Sequence, residues 1–311
     1  MSNVRNDSHR HNLIPHLWFD REATDAAAFY CSIFPNSEVT HTTVLQNTPS
    51  GDCDLVSFTL WGLPFQAISA GPYFKLNPSI SFIVNFDPSR EANASAMLDE
   101  AWSKLSDGGT PLVPLDKYPF SERFGWVQDK YGVTWQLMLT NPAGEPRPPI
   151  VPSFMFVGEN VGKAEEAREF YLSIFRHSTP GSLQHYGPGQ EPNQAGTVMF
   201  TDFMLEGTWL AAMDSAMEHA FSFNEAVSFM IRCESQEEID HYWEALSAVP
   251  EAEQCGWLKD RYGISWQVVP ANMDGFMNKG TAEQRERVTK AFMSMKKFNL
   301  AELQAAFDGS Q

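Results

Sequence analysis

The sequence is short of basic residues. Its 311 residues include 22 Lys and Arg against 39 Asp and Glu, a formal net charge of −17. Nucleic acid or an anionic membrane surface wants a basic face, so neither is expected as a partner. No run of about 18 uncharged apolar residues occurs, which excludes a membrane-spanning helix. The start, MSNVRNDSHRHN, lacks the apolar segment and small-residue cleavage site of a secretory signal. A cytoplasmic location is therefore expected. His9 and His11 belong to this polar stretch, and residues 1–11 read as a frayed tail rather than a metal site. Cysteine is scarce too. Cys31, Cys53, Cys233 and Cys255 show no CxxC or Cys/His spacing, so free thiols are expected rather than a zinc knuckle. Cys233 and Cys255 flank a helix that the pattern predicts, and strands on either side of it could make them neighbours. GxGxxG between strand and helix, GxxxxGK[ST] and GxSxG are all missing.

Apolar residues make up 43% and aromatics 13%, enough for globular cores, and the length suits roughly two domains of about 150 residues. An internal repeat gives the same division. Phe29-Tyr30-Cys31-Ser32-Ile33-Phe34 returns as Phe170-Tyr171-Leu172-Ser173-Ile174-Phe175. GWVQDKYGVTWQ, from Gly125, returns as GWLKDRYGISWQ, from Gly256, with seven of twelve positions identical. Phe58 to Gly62 answers Phe203 to Gly207, and Ser81-Phe82 answers Ser228-Phe229. Four anchors in one order mark a tandem duplication. Residues 141–149, NPAGEPRPP, hold four prolines and a glycine and cannot continue a helix or strand.

The first half is thus 12–142, the linker 143–149, the second half 150–275 and the tail 276–311. Val288, Phe292, Met295, Leu300, Leu303 and Phe307 space the tail as two amphipathic helices. Within the first half, a strand at Ile14–Phe19 precedes a helix over 20–34 and strands at 39–45, 55–60 and 65–70. A strand at 80–86 then precedes a helix from Asp87-Pro88-Ser89 to about Leu105, with strands at 111–115, 126–129 and 134–139. The second half repeats this order, so the expectation is four βαβββ modules in an α+β fold.

Paired modules carrying these motifs resemble the vicinal oxygen chelate superfamily (glyoxalase, bleomycin-resistance and dioxygenase proteins). More narrowly they are similar to its PhnB-like branch, the 3-demethylubiquinone-9 3-methyltransferase-like domains. The resemblance rests on Pro15-His16-Leu17-Trp18-Phe19, the Phe29–Ser37 stretch, Pro119-Phe120-Ser121 with Phe124–Gln136, and in the second half Phe223–Phe229 and Gln254–Gln267. It implies that each half curls two modules into an incomplete eight-stranded barrel around a cavity. The halves would pair within the chain or as a homodimer. The superfamily holds a divalent metal on its first and last module strands, with open positions for substrate oxygens. At those places the first half has His16, Gln66, Ser81 and Gln136, and the second half Ser153, Ala211, Ser228 and Gln267.

Amides and hydroxyls are poor ligands for zinc or iron, so the second half should be metal-free. In the first half His16 is the one good ligand, and any divalent metal would sit there. The alternative role for His16 is acid, base or hydrogen-bond partner in a cavity. The repeated pairs Trp126/Trp257 and Trp135/Trp266 fit core packing better than ligand walls. From Ser81 to Asp129 is 48 positions but from Ser228 to Asp260 only 32. The extra residues, 114–123, include Tyr118 and Arg123 and read either as a cover over the cavity or as a surface hairpin.

The expected function is binding of a small organic ligand in the first-half cavity without a tight metal. His16 would be the reactive group, and Trp18, Gln66, Ser81, Tyr118, Arg123, Trp126 and Gln136 the contacts. The alternatives are a divalent-metal-dependent lyase, isomerase or dioxygenase on a small oxygenated substrate, and a non-catalytic scaffold. Nothing in the sequence supports methyl transfer, whose donor usually sits on a doubly wound sheet behind a glycine-rich loop.

Overall fold

The structure is a computed structural model and describes residues 11–309, so His9 and nearly all of the frayed N-terminal stretch expected over 1–11 lie outside the described residues. The first module contains β1 (Leu13–Phe19), α1 (Ala23–Ile33), β2 (Glu38–Thr48), β3 (Gly51–Leu60) and β4 (Leu63–Ser69). The second contains β5 (Ile80–Phe86), α2 (Ala94–Ser106), β6 (Thr110–Tyr118), β7 (Ser121–Gln128) and β8 (Thr134–Leu139). After the linker come β9 (Ile150–Phe156), α3 (Ala164–Ile174), β10 (Ser178–His185), β11 (Val198–Leu205) and β12 (Thr208–Asp214). The fourth module holds β13 (Val227–Cys233), α4 (Gln236–Leu246), β14 (Trp257–Lys259) and β15 (Ser265–Pro270). The chain then runs through α5 (Met273–Lys279), α6 (Ala282–Met293) and α7 (Leu300–Asp308).

Three modules have the expected βαβββ order and the fourth has one strand fewer. Between α4 and β14 stands only a single 3-10 turn, Pro250–Ala252. The extra residues of the first half are therefore the β6–β7 hairpin at a sheet edge. The second helix starts later than the sequence suggested. Asp87 accepts from the N–H and hydroxyl of Ser89, and this local turn holds the chain out of the helix until Ala94.

The strands form two open sheets. One has the order β14-β15-β13-β1-β4-β3-β2 and the other β10-β11-β12-β9-β5-β8-β7-β6. The first module is thus joined to the fourth, by antiparallel pairing of β1 with β13, and the second to the third, by β5 with β9. Each open barrel takes one module from either half. This replaces the expectation that a half would enclose its own cavity.

Within a half, the two modules meet instead through their apolar faces. Trp135 of β8 lies 5.1 Å from both Tyr30 and Phe34 of the α1 region and 5.2 Å from Phe82 (ring centroids). Trp266 of β15 repeats this against Tyr171 and Phe175, at 5.3 and 5.6 Å. Both indoles are fully buried.

The repeated DxYGxxW segment exists to seat these indoles. Asp260 accepts from the N–H groups of Tyr262 and Ile264, from Trp266 Nε1 at 2.8 Å and from the Tyr171 hydroxyl at 2.6 Å. Asp129 accepts in the same way from Tyr131, Val133 and Trp135 Nε1. Gly132 and Gly263 follow at φ 93° and 89°, a conformation open to glycine at little cost. Burial pushes both carboxyls above the usual carboxylate range, against the pull of these hydrogen bonds.

The two helices expected between Thr281 and Phe307 are α6 and α7, and α5 precedes them. Thr281 and Gln284 make a reciprocal cap on α6, and Asn299 caps α7. Val288, Met295, Phe298 and Leu303 are buried. The carbonyls of Met295 and Lys296 accept from the N–H groups of Cys255 and Gly256, which ties the tail beside the edge strand β14. All four cysteines are free thiols.

Candidate functional site

Strand alternation separates a core side from a polar side on each sheet. On β1, Leu13, Leu17 and Phe19 enter the core, while His16 and Trp18 point to the other face. His16 lies opposite Gln66 of β4 and Ser228 of β13. Gln267 of β15 donates through Nε2 to Ser228 Oγ at 2.9 Å. Trp257 of β14 stands opposite Gln267 and meets the His16 ring edge-on, with centroids 5.4 Å apart. It also meets Trp18 at 6.0 Å, and Phe74 closes on the far side of Trp18 at 5.1 Å. Trp18 Nε1 donates to the Gly71 carbonyl at 2.8 Å, which fixes its ring. The first face is thus His16, Gln66, Ser228 and Gln267 under two tryptophans.

His16 is 2% exposed, and burial pushes its imidazole down to about 3. It is a neutral ring at any ordinary pH, and its Nδ1 has no hydrogen-bond partner. Two open clefts lie elsewhere. One of about 410 Å³ lies against Cys233, Phe276 and Gln304, and one of about 540 Å³ against Lys163, Asp260 and Arg261.

The remaining residues expected beside His16 are on the other sheet. Ser81 stands opposite Ser153, Ser153 opposite Ala211, and Trp126 opposite Gln136. Gln136 Nε2 donates to Ser81 Oγ at 2.7 Å, the counterpart of Gln267 and Ser228. Ser81, Trp126 and Gln136 therefore belong to a second face, and the set expected around His16 is divided between two sheets. Tyr118 and Arg123 sit farther out on the β6–β7 hairpin. The Tyr118 hydroxyl donates to the Pro114 carbonyl at 3.0 Å, and Arg123 is paired with Asp99. Phe120 at its tip is 63% exposed. The hairpin covers neither His16 nor the first face, and the Arg123 charge is already taken.

Two face residues escaped the sequence reading. The sequence places Trp126 among the contacts but Trp257 only with the core tryptophans, whereas Trp126 and Trp257 both line the faces and Trp135 and Trp266 are core. Arg147, in the linker, reaches the second sheet. Its Nε donates to Asp202 at 2.6 Å and its guanidinium lies 4.3 Å from the Trp209 ring centroid. Gly181 makes room for this cluster, since a Cβ there would lie 2.1 Å from Asp202 Oδ1 and 2.9 Å from the Trp209 ring. Gly181→Ala should cost about 1–3 kcal/mol in urea unfolding, and an unchanged midpoint would show that the cluster yields freely.

The donor set does not fit the divalent metal that the fold family implies. Among the described residues the first face offers one imidazole, two amides and a hydroxyl and no carboxylate, and the Asp202 carboxylate at the second is held by Arg147. Among the described residues no three His, Cys, Asp or Glu side chains converge.

A family model described as 3-demethylubiquinone-9 3-methyltransferase matches residues 11–138 and again 148–269. The chain belongs to this family. It is a tandem member. A Bacillus cereus PhnB protein with the same family description is 34% identical over 41% of this chain and 98% of its own, with a TM-score of 0.37. A Staphylococcus aureus protein is 27% identical over 42% and 97%, TM-score 0.18. Glyoxalase I from Zea mays, 11% identical, covers 84% of this chain and 94% of its own at a TM-score of 0.51, a likeness of fold. No curated protein sequence matches. No helix among the described residues of this family member is long and apolar enough to cross a membrane.

Proposed function

We propose that this family member binds a small, uncharged, hydroxyl-bearing organic molecule on the first face, without a tightly held metal. The observation that carries this is the His16 Nδ1 atom, buried without a partner beneath Trp257. A neutral imidazole nitrogen is either a donor or an acceptor, according to the tautomer. A hydroxyl serves both cases. Burial keeps the ring uncharged, so it offers nothing specific to an anion. Gln66 and Gln267 add neutral donors and acceptors, and Trp18 and Trp257 supply flat apolar walls.

The family description names a methyl transfer. The two sheets are not doubly wound and no glycine-rich loop follows β1, the usual setting for a methyl donor. Binding, not methyl transfer, is therefore the proposed activity. It also routes no step through a metal, because the donor set does not fit one.

The test is 4-methylphenol titrated into the full chain and each variant by isothermal titration calorimetry, and followed in the parent through the Trp257 indole N–H in NMR spectra, with benzoate as the charged control. Saturable binding of 4-methylphenol, weakened about tenfold in His16→Phe and in Trp257→Ala, is expected. Equal binding of benzoate, or binding indifferent to both substitutions, would overturn the proposal.

A further inference from the structure

The second half is strongly acidic, and most of its few cations are already engaged. Residues 150–275 hold 19 Asp and Glu against six Lys and Arg. Arg168 pairs with Glu169, Arg176 with Glu237 and Glu238, and Lys259 with Glu225. Arg232 donates to the Ala271 carbonyl. Lys163 and Arg261 have no ion pair among the described residues. Both line the cleft of about 540 Å³ that lies between the start of α3, the end of α4 and the β14–β15 turn.

Each of the two is held in place by neutral groups. The Arg261 guanidinium lies 4.1 Å from the Phe170 ring centroid. Lys163 Nζ donates to Asn160 Oδ1 at 3.1 Å, and Asn160 Nδ2 donates at 2.7 Å to the carbonyl of Tyr262, the residue after Arg261. Neither contact cancels charge, so both heads are oriented in advance with their charge uncompensated. Of the acids nearby, Asp260 is buried with its carboxylate serving four donors, and Glu166 accepts from the Tyr262 hydroxyl at 2.8 Å and lies outside the lining. Glu159 on the rim sets one negative charge against two positive ones. The first copy has no such arrangement. Lys130 lies over Phe29, 4.3 Å from its centroid, as Arg261 lies over Phe170, but Glu22 precedes α1 where Lys163 precedes α3.

We propose that this cleft binds a small phosphate monoester, with the phosphoryl group between Lys163 and Arg261. A planar guanidinium meets two phosphoryl oxygens at once, and an ammonium meets another as a point charge. Two cations match the charge of about −1.5 to −2 that a phosphate monoester carries at neutral pH, whereas a carboxylate brings one charge. Ala248 and Val249 give the organic part an apolar wall. The cleft shares no residue with the His16 face, and it selects for the charge that the His16 face disfavours.

Phenyl phosphate titrated into the ¹⁵N-labelled full chain at low salt tests this through the backbone amide signals of Lys163 and Gly263. Both should shift saturably. Benzoate, with one charge, should bind about tenfold more weakly, and inorganic phosphate, without the ring, about threefold. Lys163→Glu and Arg261→Lys each install the residue that the first copy carries at the equivalent position, so the fold tolerates them. Lys163→Glu should weaken phenyl phosphate about tenfold or more and Arg261→Lys about threefold. Glu159→Gln should tighten it about twofold, a gain that damage to the fold does not produce. His16→Phe should leave it unchanged. Amide signals that stay in place up to about 10 mM phenyl phosphate would overturn the proposal. So would affinity indifferent to Lys163→Glu, or equal affinity for benzoate. Inorganic phosphate bound as tightly as phenyl phosphate would overturn it in favour of a free-ion site.

Discussion

Asp260→Ala is expected to lower the unfolding free energy by about 4 kcal/mol or more. The carboxylate serves four donors at once, namely two backbone N–H groups, the Trp266 indole and the Tyr171 hydroxyl. Alanine leaves all four in a dry interior, and each orphaned group costs about 1–3 kcal/mol. Asp260→Asn should be milder, at about 1–3 kcal/mol. Its amide oxygen still serves the turn, and the tyrosine hydroxyl can rotate to accept. Only the indole N–H then faces another donor. Urea unfolding followed by far-ultraviolet circular dichroism measures both. A loss below about 1 kcal/mol in Asp260→Ala would show that the turn holds without its carboxylate.

Acid should weaken the protein through His16. An unfolded histidine titrates near 6.5, and the folded ring only near 3. Between those values the unfolded chain binds the proton and the folded one does not. Stability is therefore full above about pH 6.5 and is lost progressively as the pH falls toward 3. Going from pH 7.5 to 4.5 should cost about 2–3 kcal/mol from this group. His16→Gln has no such proton, so its own loss over the same interval should be smaller by that amount. Urea midpoints of both proteins at the two pH values give the comparison. Identical pH dependence would mean that the ring is charged or solvated in the folded state.

The repeat made most of the fold legible. GWVQDKYGVTWQ and GWLKDRYGISWQ mark the same turn twice, and turns of that kind fix where modules end. What the pattern did not carry is which module lies beside which. Alternation along Ile14–Phe19 says that His16 and Trp18 share a side, but says nothing of whether β5 or β13 is the next strand. Ser81 and Ser228 are the same residue at equivalent positions, and so are Gln136 and Gln267. Exchanging them alters the numbers in the site and leaves its chemistry as read, one imidazole among amides and hydroxyls. Trp257 was misjudged for a related reason. The two tryptophans of each repeat are nine positions apart on neighbouring strands, and sequence alone does not tell which side of the sheet each one takes. Arg147 and Gly181 could not be found at all, since Arg147 matters only through a contact from linker to sheet and Gly181 only through the closeness of Asp202 and Trp209 on neighbouring strands.

Pairing β1 with β13 and β5 with β9 makes the molecule a symmetric pair written into one polypeptide. Two separate copies of the first half, joined in the same manner, would present the same face twice: His16 and Gln66 from one copy beside Ser81 and Gln136 from the other. Rotational symmetry would forbid any difference between them. Fusion through the linker lifts that restriction. It also replaces a dimerisation equilibrium with a fixed effective concentration, so assembly no longer depends on how much protein is present. A substitution now alters one face alone. Histidine can stand at position 16 while serine stands at the equivalent position 153, and one gene product can specialise in two directions where a homodimer would be held to one.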